Sequence, residues 1–82
     1  MKQPETLQIE LYIGGLPKNA REAHIKDYLK KYGRGFQVTL IYRLNESDCR
    51  GYGSIWCRTR MVADAILKDS HELYGRKIVI ER

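Results

Sequence analysis

The chain of 82 residues carries 15 Lys and Arg against 10 Asp and Glu, with 43% hydrophobic and 30% charged residues. This length indicates one domain, too small to enclose a deep catalytic cavity, and the composition excludes a disordered chain. No apolar run approaches membrane-spanning length and no signal peptide opens the chain, so we expect no membrane partner and a nuclear or cytoplasmic location. Of the two cysteines, Cys49 is expected in a loop and Cys57 in a buried strand, without a disulfide between them.

The first half of the chain predicts a strand followed by a helix. Residues 1–6 form a polar lead that we expect to be flexible, and residues 7–82 are expected to form the folded domain. Apolar and polar residues alternate over 7–13, which is typical of a half-buried strand. Asn19 and Glu22 have the spacing of a helix N-cap and its capping-box partner. The apolar stripe of that helix would be Ile25, Tyr28, Leu29 and Tyr32.

The second half predicts two strands, a helix and a last strand. The strands are expected at 36–42 and 51–57, joined by a polar loop over 44–49. Thr59 is placed to cap a second helix, with Ala63, Ile66 and Leu67 facing inward. A turn-rich connection over 71–75 leads to the last strand at 77–81. The order β-α-β-β-α-β predicts an α+β, ferredoxin-like fold: a four-stranded antiparallel sheet with two helices on one face.

Two helices can cover only one face of such a sheet, so the other face is expected to be open. Alternation along the strands assigns a set of aromatic and aliphatic side chains to this open face. Exposed apolar groups that lie side by side are typical of a binding surface. The set is Tyr12, Thr39, Ile41, Tyr52, Trp56 and Val79.

Two motifs on predicted strands resemble those of the RNA-recognition motif (RRM) family. Residues 11–16 read Leu-Tyr-Ile-Gly-Gly-Leu and resemble the RNP2 hexamer of that family. Residues 50–57 read Arg-Gly-Tyr-Gly-Ser-Ile-Trp-Cys and resemble the RNP1 octamer. Ile-Gly-Gly-Leu at 13–16 and His-x-Leu-x-Gly-Arg at 71–76 are most similar to the heterogeneous nuclear ribonucleoprotein A/B and Musashi type.

The resemblance implies a monomeric domain that binds single-stranded RNA, or single-stranded DNA, by stacking bases on its open face, without a cofactor. Tyr12 and Tyr52 match the family's stacking positions, and Arg50 matches a position that commonly pairs with a phosphate. The other residues expected in the interface are Trp56, Ser54, Thr39, Ile41, Arg43 and Lys77. Family members often use residues just beyond the last strand, which is consistent with an excerpt of a longer protein.

The chain departs from the family pattern at several positions. Ser54 stands where the family usually has a third stacking aromatic ring. Trp56 either replaces that ring from a shifted position or is a docking spot for a protein partner or for flanking chain. The alternative function is therefore a protein-interaction module on the same face. Three acidic residues stand where relatives are often basic and should weaken attraction to phosphate. They are Glu10, Glu46 and Asp48.

An enzyme is the weakest of the three interpretations. His24 and His71, with the two cysteines, do not reproduce the spacing of metal ligands. No Ser, His and Asp are placed by motif for nucleophilic catalysis. We therefore expect no catalytic or metal site, and both histidines are interpreted as polar surface or turn residues.

Overall fold

The fold was analysed in a computed structural model, which describes residues 9–44 and 48–82. The predicted lead at 1–6 and Glu46 lie outside the described residues. None of the described helices is long and apolar enough to cross a membrane. The elements in chain order are β1 (Ile9–Gly14), α1 (Glu22–Leu29), a 3₁₀ turn (Lys30–Tyr32), β2 (Gln37–Tyr42), β3 (Cys49–Cys57), α2 (Arg60–Lys68), β4 (His71–Leu73) and β5 (Arg76–Glu81).

The strands form one antiparallel sheet in the order β2-β3-β1-β5-β4, and the inward side chains of the sheet pack with those of the two helices. Strand alternation produces this arrangement, because every second residue of β1, β2 and β3 is apolar. The predicted α+β class with an antiparallel sheet and two helices is confirmed. The largest fully buried side chains come from both layers: Leu11, Ile25, Leu29, Ile55, Ile66 and Cys57.

The predicted four-stranded sheet is wrong in one detail, because the connection over 71–75 contains a fifth strand. His71, Glu72 and Leu73 pair with Ile78, Lys77 and Arg76, which makes β4 and β5 a hairpin. Its two turn residues, Tyr74 and Gly75, have φ of 58° and 71°. Two positive φ angles are typical of the type I′ turn, whose twist matches that of paired strands.

His71 is buried, so its interpretation as a polar surface or turn residue is wrong. The side chain is 4% exposed and lies between α1, α2 and the sheet. Its Nε2 lies 2.7 Å from the Ile66 carbonyl oxygen, which can only accept, so Nε2 carries the donated hydrogen. In the neutral ring, Nδ1 then accepts from the Tyr28 hydroxyl at 2.7 Å. Both ring nitrogens are satisfied, which allows burial of this polar group.

The predicted capping box at α1 is also wrong. Arg21 is the N-cap residue and makes no side-chain cap hydrogen bond. The Glu22 carboxylate instead accepts from the Tyr42 hydroxyl at 2.6 Å and from the Leu40 backbone N–H at 3.3 Å. Burial acts to raise the pKa of Glu22, but these hydrogen bonds and the Arg21 charge outweigh it and hold the pKa below 4.5. Glu22 thus joins α1 to β2.

Tyr42→Phe should lower the free energy of unfolding at pH 7 by about 1 kcal/mol, because it removes a hydrogen bond to a charged acceptor. The contribution of Glu22 is fully present above its ordinary pKa of 4.5 and is lost as pH falls through the lowered pKa of the folded state. The difference between wild type and variant should therefore shrink in acid. Urea unfolding from pH 7 to pH 2 would measure it, with Tyr52→Phe on the exposed face as the control. A difference that stays constant in acid would contradict this role of Glu22.

The Thr59 hydroxyl accepts from the Val62 backbone N–H at 3.2 Å, which confirms the predicted N-cap. Both cysteines are free, as expected, but Cys49 is buried at the first residue of β3 and does not lie in a loop. Burial raises the pKa of the Cys57 thiol to about 11.

Candidate functional site

The face of the sheet opposite the helices carries exposed apolar side chains. Tyr12 is 53% exposed, Tyr52 and Val79 are each 51% exposed, and Ile41 is 40% exposed. Their neighbours along each strand are buried or half-buried, as the alternation predicts. The structure therefore places both tyrosine rings outside the core, on the open face.

The strand register brings the two tyrosines together. Tyr12 is opposite Ser54, and Gly14 is opposite Tyr52, so the tyrosines are diagonal neighbours on β1 and β3. A depression of about 230 Å³ lies between them. Gly14 has no side chain, which leaves this space open. The residues that line the depression are Tyr12, Ile13, Gly14, Tyr52, Gly53, Val79 and Glu81.

Gly53 brings β3 close to β2 at the level of the site. It is paired with Leu40, and a Cβ on Gly53 would lie 2.8 Å from Leu40 Cδ2 and closer still to the Thr39 carbonyl oxygen. A Cβ on Gly51, which has a φ of +98°, would meet the Leu16 carbonyl oxygen at 3.1 Å. These two glycines therefore allow close approach of β2 and of the chain after β1.

The remaining predicted residues of the strands form rows beside the tyrosines. Thr39 and Ser54 are opposite each other, in the row that also contains Tyr12. Trp56 lies one row further, half-buried, between Glu10 on β1 and Gln37 on β2. Trp56 therefore shares the open face but does not line the depression, and Ser54 lies between Trp56 and Tyr52 on the same face of β3.

The charges of the open face are separated along the strands. Arg50 precedes Tyr52 on β3, Arg43 follows β2, and Lys77 lies near the start of β5, so all three cations lie at the end of the sheet where β1 finishes. Glu10 and Glu81 lie at the opposite end, where β1 begins and β5 finishes. Glu72 on β4 is the exception, because it lies opposite Lys77 at the cationic end. One end of the face thus attracts phosphate and the other repels it.

Two carboxylates flank Tyr12. The Tyr12 hydroxyl donates to Glu10 Oε1 at 3.4 Å, which is a long hydrogen bond. Glu81 on β5 is directly opposite Tyr12 and lines the depression. Sequence reasoning did not include Gly14, Val79 or Glu81 among the site residues. Alternation had placed Val79 on the open face, but only the register of β5 against β1 brings Val79 and Glu81 beside the rings.

The histidines and cysteines lie elsewhere and do not form a cluster with one another. His24 Nδ1 lies 2.8 Å from the Tyr74 hydroxyl on the helix side, and His71 is enclosed as described above. Within residues 9–44 and 48–82, no group of three or more His, Cys, Asp or Glu side chains could hold a metal ion.

Comparison with known proteins shows which proteins this chain is similar to. The family model described as "RNA recognition motif" matches residues 11–79. DAZ-associated protein 1 of Mus musculus is 30% identical over 74 residues, 89% of this chain and 18% of the relative. Heterogeneous nuclear ribonucleoprotein Q of Arabidopsis thaliana is 31% identical over 71 residues, 84% of this chain and 14% of the relative. The chain thus spans less than a fifth of the length of these curated relatives.

Solved structures show the same fold. The structure titled RNA binding domain of Hrp1 in complex with RNA superposes with a TM-score of 0.81 at 25% identity, over 96% of this chain and 46% of that chain. The RNA binding protein PG1 superposes with a TM-score of 0.80 at 22% identity, over 90% of this chain and 92% of that chain.

Proposed function

Because the chain belongs to the RNA recognition motif family, we propose that it binds single-stranded RNA on the open face of its sheet. One observation carries this proposal: the exposed rings of Tyr12 and Tyr52 border one depression on the face free of helices. Aromatic rings on a rigid sheet are stacking platforms for bases. The similar fold of the RNA binding domain of Hrp1, whose structure was solved in complex with RNA, supports the same assignment.

The other residues of the face have supporting roles in this proposal. The three cations at the β1 end of the face, Arg43, Arg50 and Lys77, attract phosphates, with Arg50 next to the tyrosine platform. Thr39, Ser54 and Ile41 contact the bases or sugars that cross β2 and β3. Single-stranded DNA is expected to bind as well, because stacking does not require the 2′-hydroxyl. We expect the domain to act as a monomer in the nucleus or cytoplasm.

A titration with a random pool of short single-stranded RNA tests this proposal by NMR. Stacking on the tyrosines should shift the backbone amide signals of β1 and β3 most, because a bound base places its ring current over these strands. The amides of α2, on the other side of the sheet, are the internal control. Shifts confined to the helices, or no shifts at millimolar RNA, would contradict the proposal.

The affinity for RNA should depend only weakly on salt. Three cations and three carboxylates lie on the described part of the face, counting Glu72 opposite Lys77, and the cations are at one end of it. With at most about three phosphates neutralised, the slope of log K against log salt should be no steeper than about −2 for a single strand. Fluorescence anisotropy at KCl concentrations from about 50 mM to about 300 mM would measure this slope. A slope near −5 would mean that phosphate contacts outside this face dominate binding.

Docking of a protein partner around Trp56 remains the alternative prediction. Trp56 is half-buried, one row from Tyr12, and carries the largest ring of the face. If Trp56 contacts RNA, Trp56→Ala should weaken RNA binding. If it serves a protein partner alone, RNA affinity should be unchanged.

A further inference from the structure

We propose that Glu81, assisted by Glu10, makes the Tyr12 platform selective for guanine and unfavourable for uracil. This inference rests on the proposed function and specifies which base the site prefers. Its basis is the position of two carboxylates around one stacking ring, in a protein whose phosphate-attracting side chains lie at the other end of the face.

The geometry places acceptor groups where the edges of a stacked base would lie. A base stacked on Tyr12 is parallel to the ring, so its edges point along the sheet surface towards the neighbouring side chains. Glu81 is opposite Tyr12 on β5 and lines the depression between the tyrosines. Glu10 lies two residues before Tyr12 on the same face, with Oε1 3.4 Å from its hydroxyl. Carboxylates therefore stand on two sides of the platform.

Both carboxylates are available to a ligand. Neither Glu10 nor Glu81 forms an ion pair within the described ranges. The salt bridge found there joins Lys30 and Asp27 on the helix side. Glu81 is the charged residue among those that line the depression. The cations of the face lie beyond Tyr52, at the end of the sheet away from Glu10. The carboxylates can therefore accept hydrogen bonds from a base without first losing an ionic partner.

An ionised carboxylate only accepts hydrogen bonds, and its two oxygens can bind two adjacent donors. Guanine presents such a pair on its Watson–Crick edge, the N1–H and the N2 amino group. Adenine and cytosine offer one amino group next to a ring nitrogen that accepts. Uracil offers one N–H between two carbonyl oxygens, which the carboxylate would repel. Guanine should bind best and uracil worst at this position.

Three RNA octamers test the inference: uridine only, the same octamer with one central guanosine, and the same with inosine, which lacks the N2 amino group. With wild-type protein, one guanosine should raise the affinity about tenfold or more, as expected for hydrogen bonds to a charged acceptor. Inosine should give an intermediate affinity. Fluorescence anisotropy of labelled octamers would measure all three dissociation constants.

Glu81→Gln should reduce the guanosine advantage to about twofold and raise the affinity for the uridine octamer, because it removes the repulsion of the uracil carbonyls. Glu10→Gln should have a smaller effect in the same direction. Glu72→Gln is the matched control, because Glu72 is an exposed carboxylate on the edge strand β4, opposite Lys77, and should leave the order of the octamers unchanged.

Two results would overturn the inference, and they are distinguishable. If Glu81→Gln raises the affinity for all three octamers by the same factor, the carboxylate only repels phosphate, and RNA binding stands without guanine selection. If wild-type protein binds none of the octamers, the proposed RNA-binding function fails and the inference fails with it.

Discussion

Replacing both Tyr12 and Tyr52 with alanine is expected to weaken RNA binding by at least about 30-fold, because each stacked base contributes about 1–3 kcal/mol. Both side chains are about half exposed, with fractions of 53% and 51%, and contribute little to the core. The free energy of unfolding should therefore change by less than about 1 kcal/mol. Isothermal titration with the guanosine octamer and urea unfolding of the same preparation would measure the two effects.

Two further variants separate ring stacking from other causes. The double variant Tyr12→Phe and Tyr52→Phe keeps both rings and should bind within about threefold of wild type, since the hydroxyls add at most one weak interaction each. Met61→Ala changes another exposed side chain, 81% exposed at the start of α2, and should leave binding unchanged. If the alanine double variant bound RNA with wild-type affinity, bases would not stack on these tyrosines.

Gly53→Ala should destabilise the fold by about 3 kcal/mol, although it adds a single methyl group. That methyl group would lie 2.8 Å from Leu40 Cδ2, 2.9 Å from Leu40 Cα and closer still to the Thr39 carbonyl oxygen. A flexible side chain could rotate away, but the backbone of β2 can move only by breaking its pairing with β3. Thermal and urea unfolding would measure the loss of stability.

Gly14→Ala is the matched control for this prediction. Gly14 also lies in a central strand and has no positive φ, and a Cβ at this position would meet nothing within 4 Å. The substitution should be neutral or slightly stabilising, because alanine loses less backbone entropy on folding than glycine. Equal destabilisation by both variants would show that the cost comes from loss of glycine in a strand and not from close approach of β2.

The close approach of β2 to Gly53 also affects the geometry of the open face. Gly53 lies between Tyr52 and Ser54 on β3. Its partner on the neighbouring strand β2 is Leu40, which follows Thr39. A displacement of β2 from β3 would therefore alter the spacing of the open face as well as the packing beneath it. We expect Gly53→Ala to weaken RNA binding even under conditions where the variant remains folded.

The sequence by itself determined which side chains of each strand face the helices and which face outward. Period-two alternation is a local property of the backbone, so Tyr12 and Tyr52 could be placed on the open face without knowledge of the strand partners. The same holds for the apolar stripes of the helices and for the Thr59 cap, because each depends on residues within one or two turns. The RNP-like motifs then indicated the family, which the match over residues 11–79 confirms.

The tertiary structure alone decided the features that depend on partners distant in sequence. Tyr74 adopts a φ of 58°, and a positive φ is uncommon for residues other than glycine. Its hydroxyl accepts a hydrogen bond from the backbone N–H of Arg21, which is 53 positions away in the sequence. The burial of His71 likewise depends on Tyr28 of α1, and Glu81 stands beside Tyr12 only through the register of β5 against β1. Strand register and hydrogen bonds between distant elements are set by global packing, which no local pattern encodes.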